Sequence, residues 1–217
     1  MNRLWVVVLS AALLGGCGNR LTTDKAVLGP ADAAGPQLRP GLWRIEDAGG
    51  SLRETNKTAD WPDCGRWVLV RERDLATMTK EANGPVWTSK PYVLGGPDAQ
   101  AMQTRGGDQS DDFELFGVRG LAFGPDGRAT RIRRWSISCG PVRTTGAKDK
   151  DGRPETEIRP WPGVVMDGDS HCHPDGASGL MAAAAASETG EKSPDEVLHW
   201  VRSGVEPGVE TASLGPE

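Results

Sequence analysis

The chain has 217 residues, with 25 Lys plus Arg against 30 Asp plus Glu and a formal net charge of −5. That length supports a domain with its own hydrophobic core rather than a disulfide-stapled miniature, and the acidic balance excludes nucleic acid and an anionic membrane surface as electrostatic partners. The 29 Gly and 16 Pro fall short of a low-complexity composition but imply many turns and irregular loops.

The first seventeen residues open with Arg3, continue through the apolar run Leu4 to Leu14, and end at Leu14-Gly15-Gly16-Cys17. A secretory signal needs a positive start, an apolar stretch of roughly 7 to 15 residues and small residues before the cut; here a cysteine follows the cut. The stretch resembles a bacterial lipoprotein signal with its lipobox. The resemblance implies a signal peptide over 1–16, diacylglyceryl transfer to the thiol of Cys17, cleavage before it, and acylation of the new amino terminus by a palmitate-like chain. Several acyl chains, at about 0.8 kcal/mol per buried CH₂, hold firmly where one binds reversibly. Cleavage removes Arg3 and makes the mature chain one charge more acidic. Gly18 is not the Asp that retains lipoproteins in the inner membrane of enteric bacteria, so the resemblance implies the outer membrane, facing the periplasm. No later apolar run approaches the roughly 20 residues that span a bilayer, which leaves the lipid on Cys17 as the expected membrane contact.

Residues 17–40, rich in Gly, Ala, Thr and Pro and without apolar periodicity, read as a flexible tether with a span of about 25 Å. A single domain is expected over 41–203. Its first strand is Gly41 to Glu46, and a buried strand follows over 66–72, where Trp67-Val68-Leu69-Val70 is flanked by charge. Tyr92 to Leu94 and Ala99 to Thr104 flank the turn residues Gly95-Gly96-Pro97-Asp98, which suits a hairpin. A second hairpin joins Gly120 to Phe123 and Ala129 to Ser138 across Gly124-Pro125-Asp126-Gly127. In its second arm Thr130, Ile132, Arg134, Ser136 and Ser138 share one face, and Arg131, Arg133, Trp135 and Ile137 the other. Residues 141–162 carry Lys148-Asp149-Lys150-Asp151-Gly152 and read as a flexible loop. Ala177 to Glu188 is the one clear helix, since Ala has the highest helix propensity. Glu196 to Arg202 reads as a strand covered on both faces, although Ser193-Pro194-Asp195-Glu196 also has the form of a helix start. Residues 204–217 read as a disordered tail.

The tryptophans after the signal (Trp43, Trp61, Trp67, Trp87, Trp135, Trp161, Trp200) read as core and sheet-face residues rather than a carbohydrate platform. With Cys17 lipidated, Cys64, Cys139 and Cys172 remain, and an oxidising compartment favours one disulfide among them. The expected pair is Cys139–Cys172, because it closes the charged loop at the end of the longest strand and fixes the entry to the helix. One constellation has metal-ligand character: Asp167, Asp169, His171 and His173 fall on one face if the segment is extended, and His199 offers a further nitrogen for Zn²⁺ or Cu²⁺. A Gly/Asp/Ser-rich loop leading through a disulfide into a helix accounts for the same residues. Cys172 stands where a calcium loop of the EF-hand type needs Gly, so that reading fails. The Gly-x-Ser-x-Gly elbow, the His-Glu-x-x-His pair, the phosphate loop and the dinucleotide fingerprint are all missing from the sequence. No catalytic residue and no cofactor is therefore expected.

Pro40-Gly41-Leu42-Trp43-Arg44, Trp61-Pro62-Asp63-Cys64 and the segment from Gly124 through Trp135 to Cys139-Gly140-Pro141 are similar to segments of uncharacterised proteobacterial lipoproteins. Some of those relatives have a further cysteine after the first strand, which would explain an orphaned Cys64; the resemblance transfers no activity. The expected fold is α+β: an antiparallel, meander-like sheet of about six to eight strands with one Ala-rich C-terminal helix packed on it. The expected function is a non-enzymatic, lipid-anchored envelope protein, structural or ligand-binding. A periplasmic carrier of a hydrophobic ligand or lipoprotein is the main alternative, and a metal-binding accessory protein the other. A carrier requires an apolar cavity in the concave face of its sheet.

Overall fold

The computed structural model describes residues 19–46, 67–81, 84–97, 101–106, 112–168, 171–189 and 196–204. The signal segment, Cys17, Cys64, Trp61, Asp169 and the tail beyond 204 lie outside these residues. In chain order the strands are β1 (Thr22–Thr23), β2 (Gly41–Glu46), β3 (Trp67–Val70), β4 (Asp74–Glu81), β5 (Gly84–Gly95), β6 (Ala101–Arg105) and β7 (Phe113–Phe123). They continue with β8 (Ala129–Ser136), β9 (Val142–Lys148), β10 (Pro154–Ile158), β11 (Val164–Asp167), β12 (His171–Pro174) and β13 (Glu196–Arg202). A single α-helix, α1 (Gly176–Glu188), lies between β12 and β13.

From β2 to β8 each strand pairs antiparallel with the next in sequence. The last strand, β13, then inserts between β8 and β2, pairing Leu198 with Ile132 on one side and with Ile45 on the other. Eight strands thus form a closed antiparallel barrel. This overturns the α+β expectation: the fold is mostly β, and it is not a sheet with a helix packed on it. The physical reason is that β13 satisfies both free edges of the β2–β8 meander at once, so neither edge of that meander is left open to water or to another chain.

Side chains alternate along each strand, and the two faces separate cleanly. One cluster draws on every barrel strand: Trp43 and Ile45 (β2), Val68 and Val70 (β3), Leu75 (β4), Tyr92 and Leu94 (β5), Met102 (β6), Val118 (β7), Ala129 and Ile132 (β8), and Leu198 (β13). Only the barrel interior touches all eight strands. The opposite face of β2 to β5 carries a second group, Leu42, Trp67, Leu69, Ala76 and Trp87.

A further layer covers the outside of β6 and β7. There Leu180, Ala183 and Ala184 of α1 pack on Ala101 and Leu115, together with Val164 of β11 and the Cys139–Cys172 disulfide. The Cα atoms of the two cysteines are 5.8 Å apart. Trp135 faces outward from β8 into this layer and donates from Nε1 to the carbonyl of Ala184 at 3.1 Å.

Two segments differ from their sequence readings. Residues 19–40 are not a free tether: Leu21, Leu28 and Leu38 are buried, β1 pairs with β7, and the Gln103 carboxamide accepts from the amides of Val27 and Leu28 and donates to the Leu28 carbonyl. Burial of these three leucines, plus backbone pairing at Leu21 and Arg39, offsets the entropy of holding the strap. The charged run within 141–162 is likewise structured, as a hairpin of β9 and β10 whose turn is held by the Asp149 carboxylate accepting from the amides of Asp151 and Arg153.

Candidate functional site

The barrel interior is filled. A void inside it, among Leu38, Trp43, Val68, Val70, Leu75, Met102, Ile132, Arg134 and Leu198, measures about 10 Å³. That is roughly the space of one water. At both ends cations lie on aromatic rings. At one end Arg134 pairs with Glu196 while its guanidinium lies 4.6 Å from the Phe116 ring, with Arg20 5.2 Å from the same ring. At the other end Trp200 donates from Nε1 to the Pro40 carbonyl at 3.0 Å, and the Arg39 guanidinium stacks 4.2 Å from its ring.

The residues marked by sequence as metal ligands are brought together only in part. β11 and β12 pair Asp167 with His171 and Val165 with His173, and an Asp167 carboxylate oxygen lies 2.8 Å from Nδ1 of His173. His199 belongs elsewhere, on the barrel wall between Arg44 and Arg131, with Nδ1 3.4 Å from the Glu46 carboxylate. Glu46 also takes a two-pronged contact from Arg131 at 3.0 and 3.2 Å, which holds its carboxyl below the usual range against the opposing effect of burial. Asp169 is not among the described residues. Among those residues no group of three or more His, Cys, Asp or Glu side chains converges as a metal site would.

An open concavity lies outside the second end of the barrel. It is a cleft of about 490 Å³ formed where the entry to β2 (Arg39, Pro40, Gly41) meets the end of β3 with its turn (Leu69 to Glu72). The β7–β8 turn contributes Asp126 and Arg128, and the end of β13 contributes Ser203 and Gly204. Arg71 is fixed by Asp74 at 3.1 Å and by Ser89. Arg39 approaches Asp126 only to 4.0 Å. Beneath them Tyr92 is pushed up to about 12 by burial, with the positive charge of Arg128 acting against that rise and Asp74 and Glu72 adding to it. Its hydroxyl therefore stays protonated at neutral pH.

No family model, curated protein or solved structure matches this chain.

The cleft was invisible to sequence reading because its three arginines come from the strap, the β3–β4 turn and the β7–β8 turn. The one usable signal was Gly124-Pro125-Asp126-Gly127-Arg128, a tight turn carrying an acid and a base at the end of a long hairpin, where binding residues tend to sit.

Proposed function

We propose that this chain is a lipid-anchored cell-envelope protein, held by acyl chains on Cys17 at the outer membrane and facing the periplasm, whose barrel is a non-enzymatic structural or ligand-binding module. The filled interior carries the second half of this reading. An eight-stranded barrel is just wide enough either to be packed by its own side chains or to hold one small ligand, and here the packing leaves about 10 Å³. A carrier of hydrophobic ligands needs an apolar cavity, so the packing weighs against that alternative and favours a partner on the outer surface or at the barrel mouth. The anchor rests on the Arg3, Leu4–Leu14 and Gly15-Gly16-Cys17 pattern. A buried Cys139–Cys172 disulfide fits an oxidising compartment such as the periplasm. The metal-binding alternative retains Asp167 and His173 as a contacting pair with His171 beside it, fewer ligands than a structural zinc site uses.

The test is metabolic labelling with a fatty-acid analogue followed by membrane fractionation. Wild type should be labelled and sediment with the outer membrane, while Cys17→Ser should lose the label. Equal labelling of the two would remove the anchor from the account.

A further inference from the structure

We propose that the cleft at the barrel mouth binds a small organic monoanion, an aryl or short-chain carboxylate, with Arg128 as its main electrostatic partner. The inference deepens the ligand-binding reading above and rests on it. Of the three arginines lining the cleft, Arg71 is already neutralised by Asp74 and Arg39 is occupied by the Trp200 ring and the edge of Asp126. Arg128 is half-buried and has no carboxylate within 4.0 Å among the described residues. A guanidinium partly withdrawn from water gains most from an incoming carboxylate, which it grips through two parallel N–H donors. Its backbone is held for this: the amide of Arg128 donates to Asp126, and its carbonyl accepts from the amide of Gly124.

The remaining wall supplies the rest of the specificity. Pro40, with the edges of the otherwise buried Leu69 and Val70, gives the wall a small apolar part, which favours an anion with a short hydrophobic body over a bare ion. Glu72 and Asp126 on the same rim repel a multiply charged ligand, so one negative charge is the best match. The volume of about 490 Å³ lies within the usual range of small-molecule sites. The Trp200 and Arg39 cap closes the floor toward the barrel interior, so the ligand stays at the mouth.

Calorimetric titration of the full chain in a neutral detergent tests this with phenylacetate, acetate and phenylethanol. Phenylacetate should bind one per chain, with acetate (charge alone) and phenylethanol (apolar body alone) each weaker by about tenfold or more. Arg128→Gln should weaken phenylacetate by about ten- to hundredfold, and Arg39→Gln by less. Arg133→Gln, on the outer wall beside Glu188, should leave it unchanged. Thermal melts of the variants establish that each is folded. Wild type without saturable binding, equal affinity for the acid and the alcohol, or a folded Arg128→Gln protein that binds as wild type does would each overturn the proposal. Fatty-acid labelling is read on cells and does not enter these affinities, so loss of the anchor and loss of the site are separate outcomes.

Discussion

Replacing Gly117 by Ala should destabilise this protein far more than its chemistry suggests. Gly117 of β7 is paired with Trp135 of β8, and the indole lies across the space a side chain would fill. A Cβ at 117 would stand 2.0, 2.2 and 2.4 Å from Cε2, Nε1 and Cζ2 of Trp135. Neither partner can yield cheaply, because Trp135 is only 3% exposed and its Nε1 is committed to Ala184 of α1. Overpacking costs about 1–3 kcal/mol, and a lost buried hydrogen bond adds about 1 kcal/mol, so the expected loss is about 2–4 kcal/mol. Gly127 is the comparison. It sits in the β7–β8 turn at φ +73° with no atom within 4 Å of a Cβ, so Ala there is penalised by backbone conformation alone, at about 1 kcal/mol. Urea unfolding followed by tryptophan emission measures both. A Gly117→Ala cost equal to or below that of Gly127→Ala would refute the placement of Trp135 between barrel and helix.

Non-reducing peptide mapping should recover Cys139 linked to Cys172, and Cys172→Ser should lower stability by about 3–4 kcal/mol, the chain-entropy value for their separation of 33 residues; a bridge containing Cys64 would contradict the assignment. The Arg119 hydrogen bond holds the Glu188 carboxyl below its usual range, against burial and with help from the Arg119 and Arg133 charges. Its contribution is therefore complete above the ordinary glutamate pKa and is lost as pH falls through the depressed value, so Glu188→Gln should flatten the acid limb of a stability–pH profile. A mutant limb as steep as that of wild type would show that other carboxylates set it. Zn²⁺ titrated into the purified protein should bind weakly, and a stoichiometric sub-micromolar site abolished by His171→Ala would restore the metal-binding reading.

Local signals made several elements legible. Gly124-Pro125-Asp126-Gly127 announces the β7–β8 hairpin, and the alanine run over 182–186 lies within α1. Barrel closure was not legible, because it depends on β13 pairing with β2, more than a hundred and fifty residues earlier in the chain, and on β8 as well. The mixed faces of β8 conceal this. Ile132 and Arg134 face the interior, whereas Trp135 faces outward beneath the helix, so neither face looks apolar in the sequence. The strap over 19–40 escaped notice for a related reason: Leu21 and Leu28 join the layer beneath α1 while Leu38 joins the barrel cluster, and buried residues spaced that way show no helix or strand period. Among the described residues the metal candidates gather only in part, because hairpin pairing brings Asp167 to His173 whereas His199 lies on the barrel wall.

The eight strands close into a barrel packed by its own side chains. Xenon-pressurised crystals test it directly, since xenon enters dry apolar cavities and ignores filled cores. Wild type should show no xenon among Trp43, Val68, Leu75, Met102 and Ile132, while Met102→Ala, which opens a void at the same place, should gain one. An occupied xenon site inside the wild-type barrel would contradict a filled interior and restore the hydrophobic-carrier alternative.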